Sequence, residues 1–253
     1  MITDRIEGDM MRFLTAGETG LVVEFGDCID ERVNAQVTRL NDWLNGSGQL
    51  PGIVETIPTY RSLMVVFEPQ AISRESLTAH ISAQVGQLTA ATSCSARRIR
   101  VPVCYGGEFG PDLADVASHA GLPMAEVIAR HSSPHYLVYM IGFLPGFPYL
   151  GGLDKSIACP RLTAPRTHIA AGSVGIAGEQ TGIYPIESPG GWRLIGRTPL
   201  QLFSGSRQEP FLFRAGDRLQ FIPVERNLFD ELTDAEQTGA LEQVWKLEAR
   251  DDA

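Results

Sequence analysis

The stretch from Tyr136 to Leu202 limits this 253-residue chain more than any other, because eleven of its 26 glycines lie between Gly142 and Gly196 and eight of its 16 prolines between Pro134 and Pro199. Glycine opens backbone conformations closed to other residues, and proline fixes φ while removing a donor. A long helix cannot run through such a segment. Disorder fits poorly too, because the punctuation alternates with Val, Ile, Leu, Phe, Tyr and Trp that require burial. Short strands joined by demanding turns are expected, at 136–142, 173–177, 191–195, 200–203 and 218–224.

The rest of the chain has a different grammar. LVVEF at 21–25 reads as a strand, and Asp30 caps a helix whose apolar positions are Val33, Val37, Leu40 and Leu44. Asn45-Gly46 end that helix. Strands follow at 52–58 and 62–69, then a helix from Ser73 with Leu77, Ile81, Val85 and Leu88 on one face, then a strand from Arg98 to Cys104. The order β-α-β-β-α-β is the ferredoxin-like α+β arrangement, with strand order left open. The small, polar run at 89–96 reads as a linker. Pro111-Asp112 opens a helix (Leu113, Val116, Ala120) closed by Gly121, and Pro123 opens another with Met124, Val127 and Ile128 inward. After 227 helical periodicity returns through Leu228, Leu232, Leu241, Val244 and Leu247, with ARDDA frayed at the end. Three segments result: an α+β domain over 1–96, a mainly-β domain over 97–226 and a helical tail over 227–253.

Composition removes several functions. No apolar run reaches the ~18 residues of a membrane helix, and the acidic start MITDRIEGDMMRF has no signal-peptide core. Four scattered cysteines without a CxxC pair read as reduced, buried thiols in the cytoplasm, with no metal set. The net charge of −9 divides as −6 over 1–95, +3 over 96–223 and −6 over 224–253. That pattern argues against nucleic acid and leaves room for a local anionic ligand.

There is no GxxxxGK[ST] loop and no GxSxG elbow, and Gly172-x-x-Gly175-x-x-Gly178 has the wrong spacing for a dinucleotide fingerprint, so it reads as turns or bulges. Between 130 and 200, six Lys+Arg face only Asp154, Glu179 and Glu187. Arg161, Arg166, Arg193 and Arg197 therefore become candidates for carboxylate or phosphate. His131 and His168 are candidate proton carriers, each with the alternative of a buried histidine bonded to a carbonyl. Gln180, Thr181 and Tyr184 could orient an amide or carboxylate, although the turn Thr181-Gly182 accounts for two of them. Phe143, Phe147, Tyr149 and Trp192 read as core rather than ligand wall.

GFLPGFPYLGGLD (142–154), PRLTAPR (160–166), AGSVGIAGEQTGIYP (171–185) and SPGGWRLIGRTPLQLF (188–203) together resemble the KipI family. That family also goes by PxpB, a 5-oxoprolinase subunit, and by allophanate hydrolase subunit 1 or carboxyltransferase domain subdomain C/D. The resemblance extends over about residues 15–225, through VPVCYGGEFGPDL, EVIARH, LVVEFGD and YRSLMVVFEP. It implies a small α/β domain followed by a cyclophilin-like barrel. It further implies a subunit, inactive alone, that works with a homologous second subunit (PxpC or KipA-like) and a third (PxpA or LamB-like). The implied reaction is ATP-dependent opening of 5-oxo-L-proline to L-glutamate, with Mg accompanying the nucleotide and neither membrane nor nucleic acid involved. By chemistry, Arg166, His131, His168 and Arg193 are the candidates for charge and proton handling. The resemblance supports their motifs, not those roles. Inhibition of a sensor histidine kinase by binding, and amidohydrolysis of the allophanate or urea type, are the alternatives.

Overall fold

The computed structural model describes residues 11–88 and 97–238, and the chain divides into two compact units, 1–95 and 96–253. The linker at 89–96 and the apolar positions Leu241, Val244 and Leu247 lie outside the described residues, as does the ARDDA end.

In the first unit, β1 (Arg12–Ala16) turns at Gly17 into β2 (Gly20–Glu24), and α1 (Glu31–Leu44) follows. The Asp30 carboxylate accepts from the N–H groups of Arg32 (2.7 Å) and Val33 (3.4 Å), satisfying donors that a helix start leaves unpaired. Next come β3 (Ile53–Pro58), β4 (Ser62–Phe67) and α2 (Arg74–Leu88). Ser73 Oγ accepts from Ser76 N at 3.1 Å, as the sequence suggests. The sheet runs β1-β2-β4-β3, antiparallel throughout. Leu21, Val23, Leu63, Val65 and Phe67 meet Val37, Leu40, Leu44, Leu77 and Ile81 in one core. Each such side chain contributes about 1.5–3 kcal/mol by leaving water.

An expectation fails here. The sheet contains no strand from 98–104; β1 lies beside β2 instead, in the place that the last strand of a ferredoxin-like order would take. The residues RFLTA carry no alternating pattern that would have marked β1, and a three-residue link after it suffices for the hairpin.

The strand at 98–104 does form, as β5 (Arg98–Tyr105), but within the second unit. There it runs parallel to β13 (Arg218–Pro223) in register Arg98 with Arg218, and antiparallel to β12 (Arg193–Arg197). With β6 (Tyr136–Ile141), β7 (Pro148–Gly151), β9 (Ser173–Ala177) and β10 (Gln180–Ile183), these close a seven-stranded barrel in the order β10-β7-β6-β13-β5-β12-β9. Inside lie Val101, Val103, Val138, Leu150, Val174, Ile176, Ile183, Ile195, Leu219 and Phe221. Three helices flank it: α3 (Leu113–Ala120), α4 (Met124–Ser132) and α5 (Arg226–Gln237). Gly121 closes α3 in the left-handed conformation (φ 66°). A separate ribbon pairs β8 (Arg166–Ile169) with β11 (Ser188–Gly190).

Other differences are local. Met124, expected inward, is half exposed, and on α5 Phe229 rather than Leu228 is buried together with Leu232. No strand forms at 200–203; Leu200 and Leu202 are buried, but only Phe203 makes a bridge, to Phe211. Cys159 is buried, whereas Cys28 is exposed and Cys104 intermediate, so the expectation of uniformly buried thiols fails at Cys28; Cys94 lies outside the described residues.

Gly172 has φ +80° with its N–H on Tyr184 O (2.7 Å) and its carbonyl on Thr198 N (2.9 Å). A Cβ there would meet Thr198 O at 2.4 Å. Gly172→Ala should therefore lose more than about 1 kcal/mol in urea unfolding, through left-handed strain and backbone collision together.

Candidate functional site

The motif-rich stretch folds into an aromatic cluster separate from the barrel's main core. Phe147, Ile169, Ala177, Tyr184, Trp192 and Leu194 form it, with Leu144 and Tyr149 packed against it. The Phe147 ring centroid lies 5.2 Å from Tyr149, 5.8 Å from Tyr184 and 5.6 Å from Trp192, all steeply inclined. Edge-to-face contacts of this kind suit the ring quadrupoles. Two glycines make room for the rings. A Cβ on Gly182 would come within 3.1 Å of both Phe147 and Trp192, and one on Gly190 would lie 2.3 Å from the Tyr184 hydroxyl.

Charged side chains surround the cluster. Asp112, at the start of α3, is 4% exposed. Its two oxygens accept from Arg166 Nη2 (2.7 Å) and Nη1 (2.9 Å), and one also accepts from Leu194 N (2.7 Å). The sequence presents Asp112 as a helix opener, yet its side chain makes no cap bond. Arg193 donates to Asp115 at 2.8 Å and to the Pro160 carbonyl at 3.3 Å. The Arg161 guanidinium lies over the Trp192 ring, 6.0 Å from its centroid. Burial raises the Tyr184 phenol, opposed by a hydrogen bond to the Trp192 backbone and by the charges of Arg161 and Arg166. Burial raises Tyr149 as well, again opposed by Arg161.

Arg161, Arg166, Tyr184 and, through Pro160, Arg193 are thus brought together around Trp192. The other candidates lie elsewhere. Arg197 donates to the Ala171 carbonyl (2.9 Å) and lies over Phe109, a ring it shares with Arg226. Gln180 opens β10 opposite Ala177. His168, on the β8–β11 ribbon, is 58% exposed with Nε2 3.3 Å from a Glu187 carboxylate oxygen.

His131 and Thr181 meet each other inside the barrel. The Thr181 hydroxyl donates its single proton to the Gly175 carbonyl (3.0 Å), so at its 2.8 Å contact with His131 it must accept. His131 therefore carries its proton on Nε2, and Nδ1 accepts from the Tyr105 hydroxyl at 2.7 Å. The ring also stacks on Phe221, with centroids 4.5 Å apart. Burial pushes this imidazole down to about 3 and the Tyr105 phenol well up, so both are neutral at pH 7. Of the two sequence readings of His131, a proton carrier or a satisfied core histidine, the geometry is that of the second, with hydroxyls as partners.

Phe143, expected in the core with Phe147, Tyr149 and Trp192, is instead 80% exposed, and it is the one described non-glycine residue with positive φ (+68°). Leu144 N donates to Gly142 O at 2.8 Å across it, which makes a γ-turn of the strained kind. Nothing in the sequence marks this position, because GFLPG could place any of several residues there. The other residues that sequence reasoning missed are Asp112, Asp115 and Tyr105. Each acts on a partner distant in sequence, and only the shortage of acids near four arginines hinted that acids elsewhere would supply them.

The pattern of the carboxyltransferase domain, subdomain C and D, matches residues 11–213, and the chain belongs to this family. Among its relatives, a 5-oxoprolinase subunit of Bacillus subtilis (strain 168) is 44% identical over 218 residues, covering 82% of this chain and 90% of that protein. The protein of the same name in Escherichia coli O157:H7 is 41% identical over 213 residues, covering 84% and 95%. The solved structure of TTHA0988 matches with a TM-score of 0.72 at 36% identity over 81% of this chain; the chain spans only 39% of that one.

The buried imidazole gives stability a pH dependence. The unfolded chain takes up the His131 proton near its ordinary value of 6.5, whereas the folded chain refuses it until about 3. Stability therefore falls as pH drops below 6.5, by up to about 1.4 kcal/mol per unit from this residue. Unfolding curves between pH 6.5 and 5 should show that slope, and His131→Leu should flatten it whatever its absolute stability. At Phe143, Gly and Ala variants both delete the ring but only Ala keeps the strain. Phe143→Gly should be the more stable of the two by about 1 kcal/mol in chemical denaturation.

Proposed function

We propose that this chain is a subunit of an ATP-dependent 5-oxoprolinase and opens 5-oxo-L-proline to L-glutamate with partner subunits. The observation that carries this reading is its 41–44% identity, over 82–84% of its length, to two proteins named as 5-oxoprolinase subunits. The word subunit in those names supports a role inside a complex. A PxpC-like homologous subunit and a PxpA-like third one are the partners we assign.

The chemistry explains the need for ATP. A lactam carbonyl is a poor electrophile. Transfer of the γ-phosphoryl group to its oxygen releases ADP and leaves a carbon that water attacks. The C–N bond then breaks with the nitrogen taking a proton, which leaves an acyl phosphate; a second water takes the phosphoryl group from the former carbonyl oxygen, releasing phosphate and completing the carboxylate of glutamate. Negative charge develops on oxygen, where arginines and backbone N–H groups stabilise it. Among the described residues no three His, Cys, Asp or Glu side chains converge as a metal cage. Mg2+ in such reactions is held largely by phosphate oxygens and water, so we treat it as arriving with the nucleotide.

The geometry suggests how the candidates divide the work. Arg166 is committed to Asp112, so we give it a positioning role, fixing the ribbon beside Trp192. His131, neutral and enclosed, sets the barrel wall rather than moving a proton. His168, open to solvent with Glu187 beside it, is the imidazole left for proton transfer. Gln180, Tyr184 and Arg161 are assigned to substrate or nucleotide, while Arg193 and Arg197, bonded to Asp115 and to the Ala171 carbonyl, hold the surrounding backbone.

The test is ADP and glutamate formation from 5-oxo-L-proline and ATP, by this chain alone and in complex with its partner subunits. Activity confined to the complex is expected. In that complex His168→Ala should lower kcat by about 100-fold without changing thermal unfolding. A well-formed complex inert toward 5-oxo-L-proline would overturn the reading.

A further inference from the structure

Of the four arginines in the motif-rich stretch, three are already engaged. Arg166 is neutralised by Asp112, Arg193 by Asp115, and Arg197 is bonded to Ala171 O. Arg161 differs: it is exposed, and among the described residues no carboxylate lies within 4 Å of it. The partner of its guanidinium among the described residues is the Trp192 ring, whose centroid lies 6.0 Å away. The backbone beside it is nonetheless fixed on both sides. Pro160 O accepts from Arg193 Nε at 3.3 Å, and Leu162 N donates to Gly191 O at 2.7 Å.

A planar cation on an indole, anchored at both neighbours and lacking a counter-charge, is preorganised for a planar anion. Among the described residues no carboxylate or carbonyl takes its N–H groups, so the guanidinium fork has its donors for a two-pronged bond to a carboxylate. The Tyr149 and Tyr184 phenols lie within range of its charge, and the rings of Phe147 and Tyr184 pack against Trp192, so the surroundings offer ring surface near the cation. We infer that Arg161 binds the carboxylate of the amide substrate and sets the preference for a lactam that carries one. This rests on the function proposed above and assigns Arg161 to recognition, not to the phosphoryl or hydrolytic step.

The experiment uses the complex with partner subunits and three probes: 5-oxo-L-proline, ATP, and 2-pyrrolidinone, the same lactam without the carboxylate. Arg161→Gln should raise KM for 5-oxo-L-proline by about 10- to 100-fold, the range of a lost charge-assisted hydrogen bond. The KM for ATP and the inhibition constant of 2-pyrrolidinone should not move, and Arg161→Lys should recover part of the loss. If Arg161 merely shields Trp192, 2-pyrrolidinone and 5-oxo-L-proline would weaken alike, or neither would. Either result overturns the inference and leaves the proposed reaction standing. A rise in KM for ATP alone would move Arg161 to a phosphate and overturn it as well. A wild-type complex that turns over no 5-oxo-L-proline overturns both.

Discussion

The Asp112 carboxylate is the point on which the second unit's arginine- and ring-rich face depends. It is nearly sealed from solvent and receives two N–H groups of Arg166 and one of Leu194. Its own N–H returns to Leu194 O at 2.9 Å, and its carbonyl starts α3 by accepting from Val116. One residue thus joins a helix start, barrel strand β12 and the β8–β11 ribbon. Removing a single member of such a buried pair leaves an uncompensated charge, typically costing about 3–5 kcal/mol. The approach is tight because Gly110, just before, lies so close to β12 that a Cβ would sit 2.1 Å from Ile195 O.

With that anchor in place, the aromatic rings, the glycines and the arginines form one system. Rings occupy the outer surface of strands whose inner side chains fill the barrel, as the two-residue alternation of a strand demands. Ile183 points to the core, for example, while Gly182 next to it lies under Phe147 and Trp192. Gly182 and Gly190 in the motif-rich stretch thus serve ring packing. The motifs are long because each ring constrains backbone on several strands at once.

Helices and the longer barrel strands were legible in the sequence; the ribbon and the short strands were not. Asp30, Ser73 and Gly121 mark helix ends by local hydrogen bonding or left-handed geometry, so nearby residues suffice to find them. Strands at 136–141, 173–177 and 218–223 have the β-branched and aromatic content that reports burial. QTGI and SPG form strands only because partners bring the hydrogen bonds, and Thr181 reads as a turn residue although it is buried in β10. The region of the site and most of its arginines could be located from sequence. Arg161 could not be separated from Arg166, because that distinction lies in Asp112, 54 residues away from its partner. Nor could β5 be placed, since a strand's own residues do not say which sheet receives it.

The pairing of β5 with β13 also orders events as the chain is made. Residues 98–103 find their parallel partner only in 218–223, about 120 positions later. The first unit closes over shorter spans, since its two hairpins are local and its longest strand pairing joins β2 to β4, Gly20 opposite Val66. The barrel must wait for nearly all of its chain, its apolar strands held open meanwhile. During synthesis that interval, rather than the finished fold, leaves the most apolar strand surface uncovered.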